Sequence, residues 1–301
     1  MDVTLLGTGG VMPLPGRALT AAYIRVEGKA TLIDCGEGTQ TAIRAAGLRF
    51  KPIETILITH FHADHISGLP GLLLTMGNEG RTAPVTIYGP PGLEAVVSAL
   101  MTIVSELPFP VMLRALTGDS PAVVSGCGLE ITPISLNHSV PCLGYCLTLR
   151  RPGKFDPRAA REKGVPVALW SRLQQGETLG GFTPADVLGP ERKGLRLVYA
   201  TDTRPVPALA ELGTDADLLI LEGMFGDPEK QQRARVSGHM TMQEAAAIAA
   251  EARAQCLWLT HYSPATPHPE DFRESVQAIF PHTLICADGQ TQPLRFDDSM
   301  A

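Results

Sequence analysis

The stretch "THFHADHISGLPGL", Thr59 to Leu72, sets His60, His62, Asp64 and His65 within six residues. Packing has little use for three imidazoles and a carboxylate at that density, whereas a divalent cation does. Imidazole nitrogen with carboxylate oxygen suits zinc, and manganese or iron also accepts that donor set. His60 and His62, one residue apart at a strand end, can turn both rings to one ion. Asp64 and His65 are adjacent, so their side chains diverge, and the one segment can serve two neighbouring ions.

Further donors must come from elsewhere in the chain. Of its eight histidines, His138 in "ISLNHS", His239 in "GHMT" and His261 in "LWLTHY" end strand-like runs or precede a helix. Asp202 in "VYATDT" follows another such run, and its two oxygens could each take one ion. The competing reading of Asp202 is an N-cap or Asx-turn. His268 and His282 read as surface residues.

The elements that must position these residues alternate between strand and helix patterns. "VTLLG", "TAAYIRV", "KATLID", "ETILIT" and "APVTIYG" are short apolar or alternating runs, read as strands. So are "LEITPIS", "LGYCLTLRR", "LRLVYA", "ADLLILE" and "CLWLT". "GTQTAIRAAG" reads as a helix closed by Gly47, and "TMQEAAAIAAEARA" as a helix opened by a Thr241–Glu244 capping box. The histidines and aspartates recur at strand ends, where rigid scaffolding can bring distant positions together. Strand–helix alternation implies α/β layers.

At 301 residues one α/β domain is ordinary, and aromatic residues are only 5%, so aliphatic side chains must fill its core. The simplest partition is one domain, 1–301, with an inserted arm over 151–194. The net charge of −6 argues against a general nucleic-acid coat, yet Arg150 to Arg196 carries an excess of five positive charges. A basic segment on an acidic body can hold a polyanion locally. The six cysteines make no C-x-x-C and sit mostly in apolar runs, which points to a reducing compartment, the cytoplasm. No signal peptide and no membrane span are read from the sequence.

"LGTGG", "LIDCGEGTQ", "THFHADHISGLPGLL", "NHSVPCLGYCL", "ATDTRP", "ILEGMF", "GHMT" and "LTHYS" together resemble the metallo-β-lactamase superfamily. Within it they resemble ribonuclease Z, the family of tRNA 3′-processing endonucleases. The resemblance implies a four-layer αββα sandwich and two Zn²⁺ per chain. It implies that His60, His62 and His138 hold one ion, that Asp64, His65 and His261 hold the other, and that Asp202 bridges them. It gives His239 the acid–base role, with Glu222 orienting it, and an Asp64 that ligates metal is well placed to take or orient the water's proton as well. It makes the arm a tRNA-grasping exosite on a homodimer whose substrate is precursor tRNA. The chain departs from the family pattern at Ala18 after Arg17, at "LEGM", at Met240 and in the arm's missing second Gly-Pro. Two other functions stand beside this one: a hydrolase of small or cyclic phosphodiesters, and a non-catalytic metal-containing RNA-binding protein. The basic arm argues against the first and the full donor set against the second.

Overall fold

Apolar runs of five or six residues pair into sheets because each buries both faces. The computed structural model describes residues 1–104 and 106–297. Its strands are β1 (Asp2–Gly7), β2 (Ala21–Val26), β3 (Lys29–Ile33), β4 (Ile53–Leu57), β5 (Val85–Gly89), β6 (Val111–Ala115) and β7 (Val123–Val124). They continue with β8 (Glu130–Ser135), β9 (Leu143–Arg151), β10 (Arg192–Ala200), β11 (Leu218–Glu222), β12 (Leu257–Thr260), β13 (Thr283–Ile285) and β14 (Thr291–Pro293). Two seven-stranded sheets result, in the orders β14-β1-β2-β3-β4-β5-β6 and β13-β12-β11-β10-β9-β8-β7.

Each sheet is mixed. In the first, β3 to β6 run parallel and β14, β1, β2 and β3 antiparallel. In the second, β10 to β13 run parallel and β7 to β9 antiparallel. β11, "LLILE", is buried at every residue, the pattern of a central parallel strand covered on both faces. Helices Leu69–Asn78 and Leu93–Leu100 pack on the first sheet through Leu72, Leu73, Leu93 and Val97. Helix Met242–Glu251 packs on the second through Ala245, Ala246 and Ala249. The sheets meet where Tyr145 Oη donates to Ile58 O at 2.6 Å and Leu143 N donates to Thr59 O at 2.9 Å. The layering is the αββα sandwich.

Local signals set the element ends. Gly47, at φ 69°, ends helix Thr39–Ala45 in the left-handed conformation that glycine takes without a Cβ penalty. Thr241 and Glu244 close a reciprocal capping box at the start of Met242–Glu251. Among the described residues no helix is long and apolar enough to cross a membrane.

By its contacts the chain divides into a larger unit, Met1–Thr148 with Arg196–Leu294, and a smaller one, Leu149–Leu195 with the described residues from Arg295 on. The smaller unit has its own apolar cluster of Ala160, Val165, Leu173 and Val187, bordered by Phe155 and Trp170. Its helix Pro157–Glu162 is capped by Asp156, whose carboxylate accepts from Arg158 N and Ala159 N. Its ion pairs Arg158–Glu162 and Arg172–Glu177 are exposed, so solvent screens them and they add little.

Candidate metal centre

Parallel strands deliver the functional side chains at their carboxyl ends, where α/β sheets place ligands. Thr59 and His60 follow β4, Asp202 follows β10, Glu222 is the last residue of β11, and His261 follows β12. Antiparallel β8 delivers His138. His62 has an extended backbone, φ −66° and ψ 149°, and caps a helical turn, Ala63–Ile66. Asp64 and His65 therefore sit on a helix, where successive side chains turn by about 100°. That turn, rather than an open loop, is what makes the adjacent pair diverge.

Two groups of donor atoms form with Asp202 between them, and Asp202 with His239 and His261 makes a third. His60, His62, His138 and Asp202 offer atoms all within 4.8 Å of one another. His60 Nε2 and His138 Nε2 each lie 3.9 Å from Asp202 Oδ1, and His62 Nδ1 lies 3.4 Å from His138 Nε2. On the other side, His65 Nε2 and His261 Nε2 are 3.1 Å apart, and each is 3.1 Å from Asp202 Oδ2. Asp64 Oδ2 stands 3.5 Å from His65 Nε2 and 3.4 Å from His261 Nε2. A tetrahedral ion with ligands at about 2.0–2.1 Å spaces them about 3.3–3.4 Å apart. The second group fits that spacing.

Unpaired buried atoms point the same way. His60 Nε2 and Asp202 Oδ2 have no hydrogen-bond partner, although Asp202 Oδ2 approaches two imidazoles to 3.1 Å. His60 Nε2, left without a partner beside His62, His138 and Asp202, suits a cation. Burial, with His65 adding to it and Asp202 opposing it, holds the His60 pKa down at about 2, which keeps a lone pair on the ring. Burial opposes charge on His65, but the Asp202 and Asp34 carboxylates outweigh it and raise its pKa well above the ordinary range.

The sequence reading missed Asp34. It follows β3, is fully buried, and accepts from Thr59 N at 2.8 Å. Its Oδ2 lies 2.8 Å from His65 Nδ1, which turns His65 Nε2 into the second group. A carboxylate behind a ligand imidazole fixes its tautomer and its aim. The available signal was position, since Asp34 ends a strand as Asp202 does. Asp34, Asp202 and His261 also share a left-handed backbone, with φ of 59°, 56° and 56°. Each such residue costs on the order of 1–3 kcal/mol, and strain of this kind gathers at functional sites. Gly10 is needed for close approach: a Cβ there would meet His261 Cε1 at 2.5 Å.

His239 lies beside both groups. Its Nδ1 is 3.0 Å from Glu222 Oε2 and 3.8 Å from Asp202 Oδ1. Burial opposes its charge, but Glu222, helped by Asp202 and Asp64, raises its pKa to about 9. His268 and His282 are exposed and away from these groups.

A beta-lactamase superfamily domain matches residues 30–262. Ribonuclease Z of Lachnoclostridium phytofermentans is 49% identical over 301 residues, covering 99% of each chain. Ribonuclease Z of Lachnospira eligens is 47% identical over 302 residues, again covering 99% of each. The chain belongs to the ribonuclease Z family. Among solved structures, human tRNase Z, short form, superposes with a TM-score of 0.72 at 27% identity, covering 98% of this chain and 100% of that one. The Bacillus subtilis metallo-beta-lactamase fold protein YhfI superposes at 0.70 with 20% identity, a likeness of fold. A ribonuclease Z is a hydrolytic endoribonuclease, and seven histidine and carboxylate donors gathered near His239 suit that chemistry.

Proposed function

We propose that the chain is a metal-dependent endonuclease of ribonuclease Z type that removes the 3′ trailer of precursor tRNA. The observation that carries this is the pair of donor groups with Asp202 between them, and the Glu222–His239 pair alongside. His60, His62 and His138 would hold one Zn²⁺, and Asp64, His65 and His261 the other, with Asp202 between them. Manganese or iron would satisfy the same donors. When bound, two such cations supply Lewis acidity that acidifies a water and offsets charge on the phosphoryl oxygens.

The protein groups do the rest. Asp64 accepts from Val11 N at 2.7 Å, which fixes its carboxylate where it can also orient the attacking water. His239, charged below about 9, gives a proton to the departing ribose 3′-oxygen. Glu222 holds the His239 ring and favours its charged form. The products are a tRNA 3′-hydroxyl and a 5′-phosphorylated trailer.

The excess of five positive charges over Arg150 to Arg196 supports a tRNA-gripping role for the arm, 151–194. Folded RNA is recognised largely by shape and phosphate, so binding should weaken steeply with salt. A cytoplasmic homodimer completes the reading. The free cysteines, five of them buried, suit a reducing compartment, and the dimer rests on the family resemblance. Purified protein, given labelled precursor tRNA and a p-nitrophenyl phosphodiester, with and without zinc or manganese, tests the proposal. Metal-dependent release of an intact trailer is expected. Cleavage of the small ester with none of the tRNA would overturn the substrate.

A further inference from the structure

We infer that Arg204 is the positioning residue for His239, a role that rests on the acid assignment above. Arg204 lies two residues after Asp202, and its side chain is 15% exposed. Its guanidinium forks onto Glu244: Nη1 donates to Oε2 at 2.9 Å and Nη2 donates to Oε1. The same Nη1 also donates to the His239 carbonyl. Its backbone is fixed as well, with Arg204 N donating to Asn137 O at 2.9 Å and Thr203 Oγ1 donating to Arg204 O at 2.6 Å.

Glu244 is the far half of the capping box that starts helix Met242–Glu251, and it accepts from Thr241 N at 2.9 Å. Arg204 thus grips His239 directly and, through Glu244, the helix that begins just after it. The His239 ring is held from the same place: Glu222 Oε2 faces Nδ1, while Glu222 Oε1 accepts from Thr203 N at 2.6 Å. One turn, 201–204, therefore sets the shared carboxylate Asp202, the carboxylate behind the acid, and the backbone of the acid. Both terminal guanidinium nitrogens are spent on protein acceptors, which favours positioning over substrate contact. A lysine carries one compact charge and cannot span the fork and the carbonyl together.

The test compares leaving groups in the metal-loaded full chain. A ribose oxygen needs a proton as it departs, whereas p-nitrophenolate does not. Arg204→Ala is expected to lower kcat on precursor tRNA about 10–100-fold with KM changed less than about twofold. Turnover of the p-nitrophenyl phosphodiester should fall less than about fivefold, Arg204→Lys should lie between wild type and Arg204→Ala, and metal content should be unaltered. His239→Ala serves as the reference. If His239→Ala loses both substrates equally, the acid assignment fails and this inference with it. If His239→Ala discriminates between the leaving groups and Arg204→Ala does not, the inference alone fails. Should Arg204→Ala not fold, Arg204→Lys and Glu244→Gln make the same comparison, because each loosens the fork while keeping a side chain in place.

Discussion

Asp64, His65 and His261 converge with Asp202 at separations of 3.1–3.5 Å, while the separations among His60, His62, His138 and Asp202 include 3.4 and 3.9 Å. The difference lies in what stands behind each donor. In the tighter half, a buried carboxylate, Asp34, aims His65, and a backbone amide fixes Asp64. In the looser half, His138 leans on a carbonyl, Gly238 O at 3.1 Å, and His60 on a hydroxyl, Thr59 Oγ1 at 3.1 Å. Charged supports hold a ring harder than neutral ones, since charge-assisted hydrogen bonds are roughly twice as strong. The first set of donors is thus the more closely spaced, although His261 Nδ1 within it has no hydrogen-bond partner.

The largest effect should come from removing a donor of the tighter half. Asp64→Ala is expected to abolish turnover and to lower bound zinc to one ion per chain, with the circular dichroism of the folded protein kept. Zinc counted by atomic emission would break the comparison if both ions were lost together, because the looser half would then depend on the tighter one. A supporting residue should do less. Asp34→Asn is expected to weaken zinc at the tighter half about 10–100-fold and the other half less, because Thr59 Oγ1, which supports His60, also bonds Asp34, as read by competition with a chelator. Uniform weakening of both would show that Asp34 serves the whole centre.

How far the sequence discloses this depends on burial and pattern. Central strands such as Leu218–Glu222 are legible because burial on both faces leaves an unbroken apolar run. The edge strands β6, β7, β13 and β14 were not read, since they are short and partly exposed and so carry no clean period. Helix Leu69–Asn78 was hidden by Pro70, Gly71 and Gly77, residues of poor helix propensity, and packing of Leu69, Leu72, Leu73 and Met76 overrides them. The donors were legible because histidine is scarce and stands at strand ends. Asp34 was not, because a lone strand-end aspartate looks like a turn residue until His65, 31 residues on, is brought against it. Arg204 was hidden for the same reason: its partners, His239 and Glu244, are 35 and 40 residues away.

His239 borders both halves, its ring centroid 5.2 Å from that of His138 and 5.8 Å from that of His261. Its pKa, about 9, lies above the ordinary value of 6.5. The sign follows: a raised folded-state value adds stability that is complete below about 6.5 and is lost as the pH rises through about 9. The contribution is at most about 3 kcal/mol. In metal-free protein, the urea stability of wild type minus that of His239→Asn should shrink by about that amount between pH 6 and pH 10. A gap that does not change with pH would remove Glu222–His239 as a charged pair.

The smallest effect separates the scaffold from the centre. Thr241 accepts from Glu244 N at 3.2 Å and starts the helix that follows His239. Thr241→Ala removes that cap and should cost about 1 kcal/mol of stability, within a range of about 0.5–2. Arg204 still holds the His239 carbonyl in that variant, and neither half of the centre loses a support. Zinc content and the affinities of the two halves should therefore match wild type, while the urea midpoint falls. A loss of zinc from the tighter half would mean that the helix start, and not only Asp34 and Val11, holds that half in place, and the contrast between the tighter and the looser half would have to be drawn further out in the fold.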